Sequence, residues 1–215
     1  MTRKTSAVFS FCSNLLLVVL VAYSVARFFF ASGDGNMEVK GALCFRYFTI
    51  DSNILAAAAS LLLLPVEFRR ITGKSDTVPP ALNVLKLAGT TAVTITFAVV
   101  LVFLGPTMGY GKMFEGTNIF MHAVCPVLAI VSFLFFDGGS PLSEKQSRPA
   151  LLPAVVYGLV YLLMVIILTE ARGGWPDFYG FNAGGLWPVS IIIMFSVNIL
   201  FVWLLRKLHN RFASE

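Results

Sequence analysis

Charge is scarce in this chain. Only 13% of its 215 residues are Asp, Glu, Lys or Arg, about half the share of an ordinary soluble domain. Histidine is scarcer still, with two residues, and cysteine is limited to Cys12, Cys44 and Cys125. All three cysteines lie in apolar stretches without CxxC spacing, which excludes a disulfide framework and a thiolate zinc site. No stretch is polar enough to form a separate soluble domain. A soluble globule could not hide the apolar remainder, 57% hydrophobic with a mean hydropathy of +0.82. A cytosolic enzyme and a disordered chain are excluded on the same ground. The net charge of +5 does not indicate nucleic acid, because the basic residues sit in loops and tails with no aromatic-interleaved patch.

What is abundant is long apolar runs. They fall at about 7–30, 43–66, 84–104, 118–136, 150–169 and 187–205, each near the roughly 20 residues that cross a bilayer as a helix. The runs are continuous rather than alternating, which excludes a barrel. The first follows Arg3 and Lys4 but is longer than a signal-peptide core, so it is expected to be retained. Breakers mark the joints: Ser32 to Gly35, Pro79 with Pro80, Gly105 with Pro106, Gly138 with Gly139, and Gly173 with Gly174. The expectation is an all-α, six-helix transmembrane bundle forming one domain over 1–215. No internal repeat supports a transporter built of inverted halves.

The loops set a direction. Arg3, Lys4, Arg69, Arg70, Lys74, Lys145, Arg148, Arg206, Lys207 and Arg211 fall on one side, against Lys40, Lys112 and Arg172 on the other. The positive-inside rule then puts both termini in the cytoplasm. The membrane expected is the cell membrane.

Polar residues inside apolar spans are costly and mark function by default. Span two carries Arg46, Thr49, Asp51, Ser52 and Asn53. Thr49, Ser52 and Asn53 share a helix face by their spacing; Arg46, three residues before Thr49, falls near that face, and Asp51 falls off it. Span four carries Asn118 and His122, four residues apart. Thr49 and His122 are expected at matching depth in the outer half of the bilayer, with Glu170 and Arg172 capping the same cavity. His209 is expected in the cytoplasmic tail. A threonine hydroxyl needs a base to become a nucleophile, and histidine is the usual one. Asn118 or Glu170 would orient the imidazole; Arg46, Ser52 or Asn53 would hold an oxyanion. Structural readings stand beside these. Buried hydroxyls bond to their own helix carbonyls, and a lone histidine bridges helices. Thr90, Thr91, Thr94 and Thr96 read as packing residues, and Trp175, Tyr179 and Trp187 as interfacial anchors.

Two stretches resemble a known family. Phe48 to Asn53 is similar to the FTxxSN signature of the androgen-induced-protein-like integral membrane proteins. Asn118, Met121, His122 and Pro126 are similar to that family's second signature, N..MH...P. The resemblance implies six spans, no metal or organic cofactor, and a threonine hydrolase that cleaves fatty acid esters of hydroxy fatty acids. By motif the catalytic pair is Thr49 and His122, and the lipid ester would enter from the membrane. The stretch from Trp175 to Tyr179 departs from the family's YPYPF-like pattern, so the substrate is not carried over in detail. Two other classes remain open: a small transporter or channel with Arg46, Asp51 and Glu170 as pathway charges, and a non-catalytic membrane scaffold.

Overall fold

A computed structural model describes residues 3–30, 41–75 and 77–213. The breaker at Ser32 to Gly35 and the charge at Lys40 lie outside the described residues. Within them the regular structure is entirely helical. Five helices are long and apolar enough to cross a membrane: α1 (Arg3–Phe30), α2 (Phe48–Ile71), α3 (Pro80–Met108), α5 (Glu144–Ile167) and α6 (Trp187–Ala213). The fourth expected span is a shorter apolar helix, α4 (Phe120–Phe135).

The chain runs up and down. The start of α2, the end of α3, the start of α4 and the loop before α6 meet at one end, where Thr49, Met113, His122 and Tyr179 come together. The start of α1, the end of α2, the start of α3 and the end of α4 meet at the other, around Lys86 and Asp137. α3 sits in the middle, against α2, α4 and α6. Its closest approach is to α2: a Cβ on Gly89 would stand 2.8 Å from the Ala56 Cα. Small residues at such a crossing let two backbones pack without a hydrophobic driving force between them.

Two boundaries differ from the sequence expectation, and the first matters to the site. Span two does not begin at residue 43. A 3-10 turn, Gly41–Arg46, comes first, and Tyr47 is extended at φ −94°, ψ 125°, before α2 starts at Phe48. Arg46 is therefore not on a helix with Thr49, and the three-residue spacing does not bring it to the Thr49 face. Thr49 lies in the first turn of α2 rather than several residues down. At the far end of the chain α6 runs on to Ala213. Its last turns keep an apolar stripe through Val202, Leu205 and His209 packed on the bundle, so His209 is not in a solvated tail but 2% exposed, stacked on Phe133.

Candidate functional site

His122 stands where α4 is deformed. Pro126 has no N–H to give the His122 carbonyl. Just before it the helix widens over Phe120–Val124, and the Cys125 N–H bonds to the Phe120 carbonyl five residues back. Such widened turns recur at functional sites. Both ring nitrogens then find partners. Nδ1 lies 2.6 Å from the Met113 carbonyl oxygen. A carbonyl only accepts, so Nδ1 carries the proton and Nε2 presents its lone pair. Nε2 faces the Thr49 Oγ1 at 3.4 Å, slightly beyond a settled hydrogen bond. Spans two and four are neighbours here, with Thr49 5% and His122 4% exposed.

The other sequence candidates separate. Ser52 Oγ donates to the Thr49 carbonyl and meets Thr96 Oγ1 at 2.9 Å, tying α2 to α3. Asn53 Nδ2 donates to the carbonyls of Thr49 (2.7 Å) and Met121 (3.0 Å), which ties α2 to α4 under the pair. With its donors committed, Asn53 braces the two helices. Asn118 is buried beside His122 in sequence, but the Met113 carbonyl holds the imidazole instead. The oxygens of Asn53 and Asn118 are buried without a hydrogen-bond partner among the described residues. Glu170 is exposed on a 3-10 turn and, like Arg172, does not line the cavity at Thr49. Asp51 lines a second, neighbouring groove with Leu55, Leu152 and Trp175, which shares Phe48 and Tyr157 with the cavity at Thr49. Arg46 and Glu170 line neither of these two cavities.

Tyr179, read from sequence as an interfacial anchor, is part of the site. Its loop is shaped by the Asp177 carboxylate, which accepts from the Tyr161 hydroxyl (2.6 Å) and from the backbone N–H groups of Phe181 (3.0 Å) and Asn182 (2.8 Å). So held, Tyr179 is buried over the start of α2, and its phenol oxygen accepts the Phe48 N–H at 2.9 Å. Burial pushes this phenol up to about 12, and interactions with Tyr157, Phe48 and Thr49 lower it in part. It is therefore a protonated donor at neutral pH, next to the Thr49 hydroxyl and to the positive end of the α2 dipole. Nothing in an aromatic at a span boundary distinguishes this role from a belt anchor; only the adjacent Asp177, whose type favours tight turns, hinted at an ordered loop.

A cavity of about 200 Å³ opens from Thr49 between α3, α5 and α6. Phe48, Thr96, Tyr157 and Tyr179 line it, and so do Val155, Phe195 and Asn198 of α5 and α6. Its walls are mostly apolar, which suits a hydrocarbon chain. No cluster of three or more metal-ligating side chains occurs among the described residues.

Sequence reading also missed a second polar region, at the opposite end. The Lys86 ammonium donates to Asn14 Oδ1 (2.6 Å) and Ser60 Oγ (3.0 Å), and it pairs with Asp137 Oδ2 at 3.2 Å. Asp137 Oδ1 accepts from Ser10 (2.7 Å), Asn14 (2.8 Å) and Ser132. Arg70 grips Glu67 at 2.7 Å and the Asp137 carbonyl at 2.8 Å. Expected boundaries at residues 66, 84 and 136 hid these groups, because Glu67, Lys86 and Asp137 sit within two residues of them. When compared with protein families, with curated proteins and with solved structures, the chain matches none of them.

Proposed function

We propose that this protein is an intramembrane hydrolase of lipid esters, with Thr49 as nucleophile and His122 as base. The observation that carries the reading is the Thr49 hydroxyl facing the lone pair of His122 Nε2 and lining an apolar cavity. The FTxxSN-like and N..MH...P-like stretches support it, through their resemblance to the androgen-induced-protein-like threonine hydrolases. An ester of a fatty acid with a hydroxy fatty acid is the substrate type that resemblance suggests.

The steps follow from the geometry. Thr49 Oγ1 attacks the ester carbonyl carbon while its proton passes to Nε2. The oxyanion is held by the Tyr179 hydroxyl beside Thr49. Collapse expels the alcohol, which takes the proton from His122. Water then attacks the acyl-threonine, gives a proton to His122 and releases the acid; that proton returns to Thr49. The Met113 carbonyl keeps the imidazole in the required tautomer, the role a carboxylate fills in a serine triad. A carbonyl stabilises the imidazolium less than a carboxylate would, so turnover is expected to be slow. The chain crosses the cell membrane six times in this reading, with both termini cytoplasmic and Thr49 near the outer face.

The test is hydrolysis of a long-chain lipid ester by purified protein. Release of acid by the parent chain and none by Thr49→Ala or His122→Ala, all equally folded, is the expected outcome. Full activity in Thr49→Ala removes the nucleophile. The orientation is tested separately in a background without native cysteines. A cysteine at Ser75 should be shielded from an impermeant reagent in intact cells, and one at Gly111 should react; the reverse overturns the orientation.

A further inference from the structure

The groove beside the Thr49 cavity carries two features that ester cleavage leaves unused. The first is aromatic surface. Phe45, Phe48, Tyr157 and Trp175 all line it, brought together from the turn before α2, the start of α2, α5 and the loop before α6. Phe45 is 40% exposed, and Tyr157 and Trp175 are half-buried, so these rings keep accessible surface.

The second is a lone charge. The Asp51 carboxylate lines the same groove, half-buried, with no hydrogen bond or ion pair to another described residue. The other polar groups there are committed. Ser52 bonds to the Thr49 carbonyl and to Thr96, and the Tyr157 hydroxyl donates to the Arg46 carbonyl at 2.6 Å. A carboxylate among apolar and aromatic walls is costly without a counter-charge. The dipole at the start of α2 offsets part of that cost but does not account for the rings.

The groove also has a direction. Asp51 stands in the first turn of α2, and Leu55, on the same face, lies about 6 Å further along the axis at four residues on. Leu152 and Val156 of α5 continue the apolar wall and are exposed on the outside of the bundle, where lipid chains would lie.

We infer that this groove holds the head of a membrane amphiphile that bears a quaternary ammonium. Asp51 supplies the counter-charge, the aromatic rings surround the cation, and the chain lies along α2 and α5. A primary ammonium fits less well. Its three N–H groups need acceptors around the nitrogen, and the groove offers them on one side only, at Asp51; a quaternary ammonium has no N–H to satisfy. An anionic head would be repelled by Asp51. The inference is independent of the hydrolase reading.

The experiment reads ligand-dependent thermal shifts of the full chain in a neutral sugar detergent, at one fixed micelle concentration so that partitioning is the same for every variant. The probes share one alkyl chain and differ in the head: trimethylammonium, primary ammonium, and tert-butyl, the uncharged carbon analogue of the first. The trimethylammonium probe should bind about tenfold more tightly than the tert-butyl one, and more tightly than the primary ammonium. Asp51→Asn and Trp175→Leu should each remove most of that preference. Tetramethylammonium, the head without a chain, should bind far more weakly. Equal binding of the trimethylammonium and tert-butyl probes overturns the inference. So does a primary ammonium that binds as well, which would leave an ion pair without a cage, and so does a preference that survives both variants. Tetramethylammonium binding as tightly as the long-chain probe overturns the lipid. Should a variant not fold, the head-group series on the parent chain decides.

Discussion

The two histidines of this chain are held alike and left differently. His122 and His209 each bring Nδ1 to a backbone carbonyl, of Met113 at 2.6 Å and of Phe133 at 3.2 Å. Each therefore turns a lone pair outward from Nε2. At His209 that lone pair meets the Asn83 amide nitrogen at 3.2 Å, and Asn83 also donates to the Ser140 carbonyl. At His122 it meets a hydroxyl that borders a cavity. The same side chain in the same tautomer closes a network at one end of the bundle and leaves chemistry available at the other.

The contrast extends to the surrounding groups. Around Lys86 and Asp137 the charges pair: the ammonium donates to Asn14 and Ser60 and stands 3.2 Å from Asp137 Oδ2, and Arg70 covers Glu67. Such a network joins α1, α2, α3 and α4 and holds them in register. Around Thr49 the polar groups are hydroxyls, amides and an imidazole, with no ion pair between them among the described residues, and the cavity adjoins. Buried polarity in a membrane protein is thus not one kind of signal. What it faces, an opposite charge or a cavity, separates a brace from a site.

The largest effect expected is at the open end. Thr49→Ala and His122→Ala should each lower kcat by about 10³-fold or more, with melting temperatures close to the parent. The double variant should be hardly worse, because nucleophile and base act as a unit. Thr49→Ser should keep part of the activity through its hydroxyl. Assays of ester cleavage alongside thermal unfolding check all of these.

At the closed end the expectation inverts. Lys86→Met strands the Asp137 charge and should destabilise the protein by about 3–5 kcal/mol, while the folded fraction cleaves ester normally. Lys86→Met combined with Asp137→Leu should regain much of that loss, since a buried pair replaced whole is often neutral. Denaturant or thermal titration in detergent measures both. A Lys86 variant that is fully stable but inactive would break the comparison.

Next in size is Tyr179→Phe, expected to lower kcat by about 10²-fold with KM little changed. A change confined to KM would make Tyr179 a wall of the cavity rather than an oxyanion donor. Smallest are Glu170→Gln and Asp51→Asn, one exposed and the other in the neighbouring groove. Each should leave kcat/KM within about twofold of the parent, as for surface changes away from a site.

The sequence made the pair at the open end legible because Thr49 and His122 are polar residues in apolar runs, and bilayer cost gives such residues meaning. The face shared by Thr49, Ser52 and Asn53 was legible too, and all three are buried on α2. Arg46 was placed wrongly because helical spacing was carried across Tyr47, whose extended backbone breaks it. The grip of Met113 on His122 had no sequence signal, since a backbone carbonyl has no residue type. Tyr179 was hidden among boundary aromatics. Lys86, Glu67 and Asp137 were hidden by span limits drawn a residue or two from them, where a charge reads as solvated. His209 was assigned to a tail because the apolar run ends near Leu205, although the buried stripe of α6 does not.

The central claim, that Thr49 is the residue that takes the acyl group, is tested most directly by trapping it. Purified protein treated with a fluorophosphonate probe and digested should carry the phosphonate on Thr49 by mass spectrometry. The label should vanish in Thr49→Ala and fall steeply in His122→Ala. A label on any other residue, or none on a folded, ester-cleaving protein, would contradict the account.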